Sequence, residues 1–354
     1  MQKDLHFSFV ELSTGIRMHL ARCGSSAQPP LLLLHGFPEF WAAWAELMPL
    51  LAEDFEVIVP DLRGFNRSDK PTEVAAYRTG VVAADVLALL DALGLPSAHL
   101  AGHDWGGVVA WWLAIQHPHR IRALGICNAP HPYLFAQALG NDPAQQKASA
   151  YMHWLRKPGS ELALLANDCA LLERFFLGAG NSRAAGVAGS VKGGKTGEGG
   201  EGGDSGEGGD SGEGGDSREG GDSGAGGDFG EGGKRGAPSW WTSERRARYR
   251  EAWMQPGAML AGTHYYRAAP WTPGQAPVAL DRDAFRVPVP TLVLWGEKDE
   301  ALLPVLLDGL EDFVDSLSIQ RLPLASHWLL HEEPAGVAMA LRRHFQAHPG
   351  EHAR

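Results

Sequence analysis

Cysteine is scarce in this 354-residue chain, and its three copies stand apart. Cys23, Cys127 and Cys169 are odd in number, widely spaced, and never form a Cys-x-x-Cys pair. That spacing excludes a disulfide framework and a structural zinc site, so neither a metal nor a cofactor is expected. Long apolar runs are missing too. None approaches the ~18 residues that a membrane-spanning helix needs. Positive charge is in deficit, with 31 Lys and Arg against 42 Asp and Glu, a net charge of −11. Nucleic acid is therefore not an expected partner, because phosphate binding needs a basic patch. The stretch Met1 to Gly15 is polar and mixed, without an apolar core of signal-peptide length. The expectation is a cytoplasmic chain with reduced thiols.

One segment lacks almost every residue type at once. From about 179 to 239 the chain collapses to Gly, Glu, Asp and Ser, with Gly-Glu-Gly-Gly-Asp-Ser recurring. Such a composition cannot bury enough apolar surface to offset its ordering entropy, so it predicts a disordered insert. A phosphate loop does not fit these glycines, since no Lys-Ser/Thr pair follows and no strand precedes. Calcium-binding repeats do not fit either, because the apolar position they require is missing.

What remains is ordinary globular material, 44% hydrophobic and 21% charged overall. Phe7 to Leu12 and Ile16 to Ala21 read as a hairpin of two strands turning at Ser13-Thr14-Gly15. Leu31 to Leu34 is a wholly apolar run, as expected for a strand buried on both faces. Helical spacing follows through Trp41, Trp44, Leu47 and Leu51. Phe55 to Val59, His99 to His103 and Ile121 to Cys127 read as further strands. Helices are expected from Val81 to Leu93 and from Val108 to Gln116. This alternation predicts an α/β class core with a mostly parallel sheet flanked by helices.

The rhythm breaks at Pro130. From 131 to 285 the pattern is largely helical, with Ala148 to Leu155, Glu161 to Phe176 and Ser243 to Met254 as the main candidates. That reads as a helical cap inserted between two parts of the core, 1–130 and 286–354. The core resumes with a strand from Pro290 to Trp295, then one from Ser316 to Leu322, and closes with a helix from Pro334 to His344.

The chain is organised around Gly102-His103-Asp104-Trp105-Gly106-Gly107. Strand, sharp turn and helix meet there in the form Gly-x-nucleophile-x-Gly, with Asp where Ser is usual. A carboxylate on such a turn can attack a carbon centre and form an ester. Asp299 follows a late strand and His327 follows the last one, giving the chain order nucleophile, acid, histidine. Loops at the carboxyl ends of parallel strands line the ligand crevice, so the three are expected to meet. Asp104 would be the nucleophile, His327 the general base toward water, and Asp299 its orienting acid. Asn128 ends the preceding strand, where an acid can also sit; this favours Asp299. His331 is the alternative base. The backbone amides of Phe37 and Trp105 are the expected oxyanion donors, and a cis bond at Pro38 is a possible way to aim the first of them.

These stretches resemble one family, the epoxide hydrolases of the α/β-hydrolase fold. The resemblance is carried by His35-Gly36-Phe37-Pro38-Glu39, by Asp61-Leu62-Arg63-Gly64-Phe65-Asn66-Arg67-Ser68-Asp69, by the elbow, by Gly296-Glu297-Lys298-Asp299 and by His327-Trp328. It implies a small apolar epoxide as substrate and two cap tyrosines that protonate the epoxide oxygen. The family's Asn-Trp-Tyr-Arg pattern falls on His264-Tyr265-Tyr266-Arg267, making Tyr266 one donor; Tyr151 is the candidate for the other. Tyr265, Trp105 and Trp328 are expected beside the substrate. His264 and Ser326 depart from the family's usual Asn and Gly, and the Gly-rich insert interrupts the cap. Dehalogenases share the Asp nucleophile. The haloacetate type places Arg after it, where Trp105 stands; the haloalkane type carries Asn or Glu at the place of Phe37. A non-catalytic binding protein on the same fold is a third reading.

Overall fold

Among the described residues, eight strands form one sheet. The computed structural model describes residues 5–177, 237–275 and 280–350. The predicted Gly-rich insert lies outside the described residues from its start through residue 236.

The hairpin is present as β1 (His6–Glu11) and β2 (Arg17–Cys23), antiparallel to each other, with β2 antiparallel to β4 (Glu56–Pro60). From β4 onward every pairing is parallel, through β3 (Pro30–Leu34), β5 (Ala98–His103), β6 (Ile121–Cys127), β7 (Thr291–Gly296) and β8 (Leu317–Leu322). Strands β3, β4, β5 and β7 are buried along their whole length, the reason their sequences are mostly apolar, without a break in β3 and with His99 and His103 inside β5. The chain leaves β3 toward β4 on one side and returns as β5 on the other. The crevice therefore opens between the ends of β3 and β5.

Helical spacing from Trp41 to Leu51 yields less helix than expected: a 3-10 turn at Trp41–Trp44, then one turn, α1 (Met48–Leu51), with Pro49 in its first turn. Helices α2 (Thr79–Ala92) and α3 (Trp105–Gln116) flank the sheet. Between β6 and β7 the described chain is helical. It runs through α4 (Pro132–Asn141), α5 (Pro143–Ala148), α6 (Tyr151–Leu155), α7 (Ser160–Phe176), α8 (Ser243–Trp253) and α9 (Ala258–Ala268). The single helix expected from Ala148 to Leu155 is thus two, parted at Ser149 and Ala150. Helix α7 is interrupted inside, where Asn167, Asp168 and Cys169 adopt left-handed backbone angles. After β8 come α10 (Leu329–Glu332) and α11 (Pro334–Ala347). Among the described residues, no helix is long and apolar enough to cross a membrane.

The helices between β6 and β7 are tied to the loops of the sheet, among other places, through α8 and α9. The Trp253 indole donates to the Pro38 carbonyl at 2.6 Å, the Tyr265 hydroxyl to the Arg63 carbonyl at 2.9 Å, and His264 Nε2 lies 3.0 Å from the Thr72 carbonyl. His264, where the resemblance expects Asn, thus ties α9 to the loop before α2.

Candidate active site

Asp104 stands alone between β5 and α3 with φ +50°. Few non-glycine residues tolerate that region, and the turn has no space for bulky neighbours. A Cβ on Gly102 would lie 2.4 Å from the Gly106 carbonyl, and one on Gly36 would lie 2.4 Å from the Asp104 side chain. The glycines let the β3 loop close over the carboxylate. The Phe37–Pro38 bond is cis, and the Phe37 amide donates to Asp104 Oδ1 at 2.7 Å. The Trp105 amide also donates to this carboxylate. His35, just before, is an ordinary structural histidine: Nδ1 faces the Gly36 carbonyl and Nε2 accepts from the Leu62 amide at 3.0 Å.

His327 lies between two carboxylates. Its Nδ1 is 2.7 Å from Asp299 Oδ2, and its Nε2 is 3.7 Å from Asp104 Oδ2. Asp299 has a donor for each oxygen: Oδ2 also accepts from Asn128 at 2.6 Å, and Oδ1 accepts the amides of Ala301 and Leu302 at 2.8 and 2.9 Å. In the sequence Asn128 stands only as the absence of an acid. In the structure it fixes Asp299, because its side-chain Oδ1 accepts the Gly296 amide at 2.8 Å. Ser326 latches the histidine loop: its hydroxyl and amide both donate to the Glu332 carboxylate, at 2.8 and 2.6 Å.

Burial pushes the Asp104 carboxyl above its usual range, against the pull of His327, His103 and the two amides. The carboxyl is thus less acidic than that of a free aspartate. Burial alone would lower His327, but the negative charges of Asp299, Asp104 and Glu39 outweigh it and raise the imidazole to about 9. Burial likewise acts against the Asp299 carboxylate, and His327 more than compensates, holding it below the ordinary value.

Behind His327 lies a buried group that the sequence motifs contained without revealing. Glu39 accepts from His331 Nε2 at 2.7 Å and from the Tyr249 hydroxyl at 2.8 Å, and His103 Nδ1 sits 3.0 Å away. The far nitrogen of His103 is 2.9 Å from the His327 carbonyl. Despite burial, the His103 and His331 hydrogen bonds hold the Glu39 carboxyl well below its normal value. His331, the alternative base, therefore turns to Glu39 and helps to anchor the cap helix α8 through Tyr249.

From the cap, Tyr151 and Tyr266 join Asp104, Phe37 and His327 around a cavity of about 110 Å³. The two rings meet edge to face at 6.0 Å, and Tyr266 packs the same way on Phe37 and Trp105. Burial, with the negative charge of Asp104 nearby, raises both phenols, so both stay protonated at neutral pH. Their hydroxyls interact with each other, and the Trp105 indole interacts with that of Tyr266. Trp328 is also in the wall, its indole donating to the Phe175 carbonyl at 2.9 Å. Tyr265 is not brought to the cavity as expected. Neighbours on a helix point about 100° apart, and its hydroxyl is spent on Arg63 while its ring packs on Phe65, Tyr77 and Trp105.

Comparison with known proteins bears on the fold and the family. Residues 29–175 match the family model described as alpha/beta hydrolase fold. The chain is 30% identical over 327 residues to the AB hydrolase superfamily protein YfhM of Bacillus subtilis (strain 168), covering 92% of this chain and 93% of that one. A solved structure described among novel epoxide hydrolases belonging to the alpha/beta hydrolases superfamily, from metagenomes of hot environments, is 30% identical. It has a TM-score of 0.70 and covers 97% of this chain and 99% of its own. The Bacillus megaterium epoxide hydrolase solved with an inhibitor gives a TM-score of 0.73 at 25% identity, over 96% of this chain and 100% of its own.

Proposed function

Because the chain belongs to the epoxide hydrolases of the α/β-hydrolase superfamily, we propose that it opens a small apolar epoxide to a vicinal diol through a covalent ester on Asp104. The observation that carries this reading is the convergence of two protonated phenols and one buried carboxylate on a single cavity. Asp104 Oδ1 is engaged by the Phe37 amide, which leaves Oδ2 to attack an epoxide carbon. As the ring C–O bond breaks, the oxygen takes a proton from Tyr151 or Tyr266, which meets the developing alkoxide with a donor instead of water. The product of this step is a hydroxyalkyl ester of Asp104.

Ester formation removes the negative charge beside His327 Nε2. That charge is one of the groups raising the imidazole, so the histidine becomes easier to deprotonate once the ester exists. Neutral His327, steered by Asp299, then takes a proton from water, and the hydroxide adds to the ester carbonyl carbon. Negative charge collects on Oδ1, within reach of the Phe37 and Trp105 amides. Collapse breaks the bond between the carbonyl carbon and Oδ2, which leaves as the diol's second oxygen and takes the proton from His327; the new carboxyl gives its proton through solvent to the tyrosinate, which restores both carboxylate and phenol.

Halide chemistry is less well served. No arginine follows the nucleophile, and the Trp105 indole that would hold a halide is engaged by Tyr266. The test is product analysis with styrene oxide, 1-chlorobutane and chloroacetate side by side. Diol from the epoxide without halide release from the others is expected; halide release without diol would overturn the reading.

A further inference from the structure

The two phenols that meet at the cavity stand on different helices. Tyr151 opens α6, and Tyr266 lies in the last turn of α9. The Gly-rich segment separates the two helices in the chain, so no short connection fixes their spacing. Helix α6 has five residues, too few to be stable without outside partners. Those partners come from α9.

Arg267 follows Tyr266 and turns back onto the end of α6. Its Nε donates to the Arg156 carbonyl at 3.3 Å, and Nη2 donates to the Lys157 carbonyl at 2.8 Å. Both carbonyls lie just past the last residue of α6. Nη2 also reaches Ser160 Oγ at 3.3 Å and the Glu161 carboxylate at 2.6 Å, and Nη1 lies 3.1 Å from His264 Nδ1. The Ser160 hydroxyl in turn donates to the Leu155 carbonyl at 2.8 Å, one of those a helix end leaves without an internal donor.

Arg156 runs the opposite way. From the end of α6 it donates to the Ala269 carbonyl at 3.0 Å, to the Thr272 hydroxyl at 3.2 Å and to the Trp271 carbonyl, all just past the end of α9. Each tyrosine-bearing helix thus lends an arginine to the backbone of the other. A planar guanidinium holds several acceptors at once in a fixed fork, which a lysine ammonium on its flexible stem does not. The two rings are seated by packing, and the backbones beneath them are set by these crossed arginines. Neither guanidinium is in the cavity wall.

On the epoxide-hydrolase reading, we propose that Arg156 and Arg267 are positioning residues for ring opening: they set the spacing of α6 and α9 at which both phenols reach one epoxide oxygen. Arg267 acts on Tyr151, and Arg156 acts on Tyr266. A misplacement of about 1 Å can cost about 100-fold in rate, so a small shift of either helix is read in the ester-forming step.

Arg156→Met and Arg267→Met keep the apolar stem and lose the donors. In stopped-flow measurements with styrene oxide, each should slow ester formation at least about tenfold and leave ester hydrolysis within about twofold. In double-mutant cycles, the Arg267→Met loss should shrink below about twofold once Tyr151 is Phe, and the Arg156→Met loss likewise once Tyr266 is Phe. A general weakening of the cap would cost the same in either background. Equal costs in a folded variant would therefore overturn the proposal. Arg156→Lys and Arg267→Lys carry the same cycles where a methionine variant lacks the wild-type circular-dichroism spectrum. Their smaller loss should also vanish in the matching phenylalanine background, and a loss that persists would overturn the proposal. Crystal structures read the spacing without turnover. The ring separation, 6.0 Å in the wild type, should change by at least about 1 Å in the methionine variants; an unchanged separation would overturn the proposal. A wild type that gives no diol from any epoxide, beside variants whose rings have moved, would overturn the catalytic reading and support the arginine brace.

Discussion

The core half and the cap half of the site are held by different forces. In the core, Asp104, Asp299 and His327 hang from strand ends, and their polar atoms are tied by short hydrogen bonds to named partners. In the cap, Tyr151 and Tyr266 are positioned mainly by packing, ring against ring, on Phe37, Trp105 and each other. Hydrogen bonds have steep angular and distance limits, whereas apolar contact is roughly proportional to area and weakly directional. The core therefore fixes reacting atoms, and the cap can change its side chains and the space between them without disturbing those atoms.

Substitutions can widen or close that contrast. Asp104→Ala removes the nucleophile, so diol formation should fall by at least about 10⁴-fold while the circular-dichroism spectrum is retained. Tyr266→Phe and Tyr151→Phe keep the rings and lose only a proton donor. Each should slow ester formation by about 10²- to 10³-fold in stopped-flow measurements, with a smaller effect on ester hydrolysis. Equal losses in both steps would mean that the cap also positions the hydrolytic water, and the contrast would fail.

A third effect is on stability, and its sign follows from His327. The folded imidazole titrates at about 9, above its ordinary 6.5. Its ion pairs therefore support the fold fully below pH 6.5, and that support is lost as pH rises through about 9. The melting temperature of the wild type should exceed that of His327→Gln at pH 6, and the gap should narrow by pH 10. The smallest effect belongs to Tyr265→Phe. It loses one hydrogen bond to Arg63, worth about 1 kcal/mol of stability, while kcat/KM for any epoxide should stay within about twofold.

The same contrast explains what was legible in the chain. Buried parallel strands such as Leu31 to Leu34 and Ile121 to Cys127 read directly, because burial on both faces demands apolar residues, without a break in the first and broken only at the half-buried Arg122 in the second. The polar turn after each then announces a residue at the crevice. Cap helices announce less. Eight of the eleven residues of α9 are buried, so it shows no clean apolar stripe, and neither α9 nor α4 stood out as a helix. Tyr266 is legible only through the resemblance, which picks it over Tyr265 as the donor but also puts Tyr265 beside the substrate, where its hydroxyl instead binds the Arg63 carbonyl. Asn128, Glu39 and His331 were visible as letters, but their roles depend on partners up to 292 positions away, and no local spacing encodes that.

The covalent ester on Asp104 is the centre of the account, and trapping it is the most direct test. His327→Gln, incubated with styrene oxide and digested, should yield the peptide containing Asp104 heavier by one intact epoxide, because the ester forms and is not hydrolysed. Diol turnover by this variant at the wild-type rate, with that peptide unmodified, would contradict it.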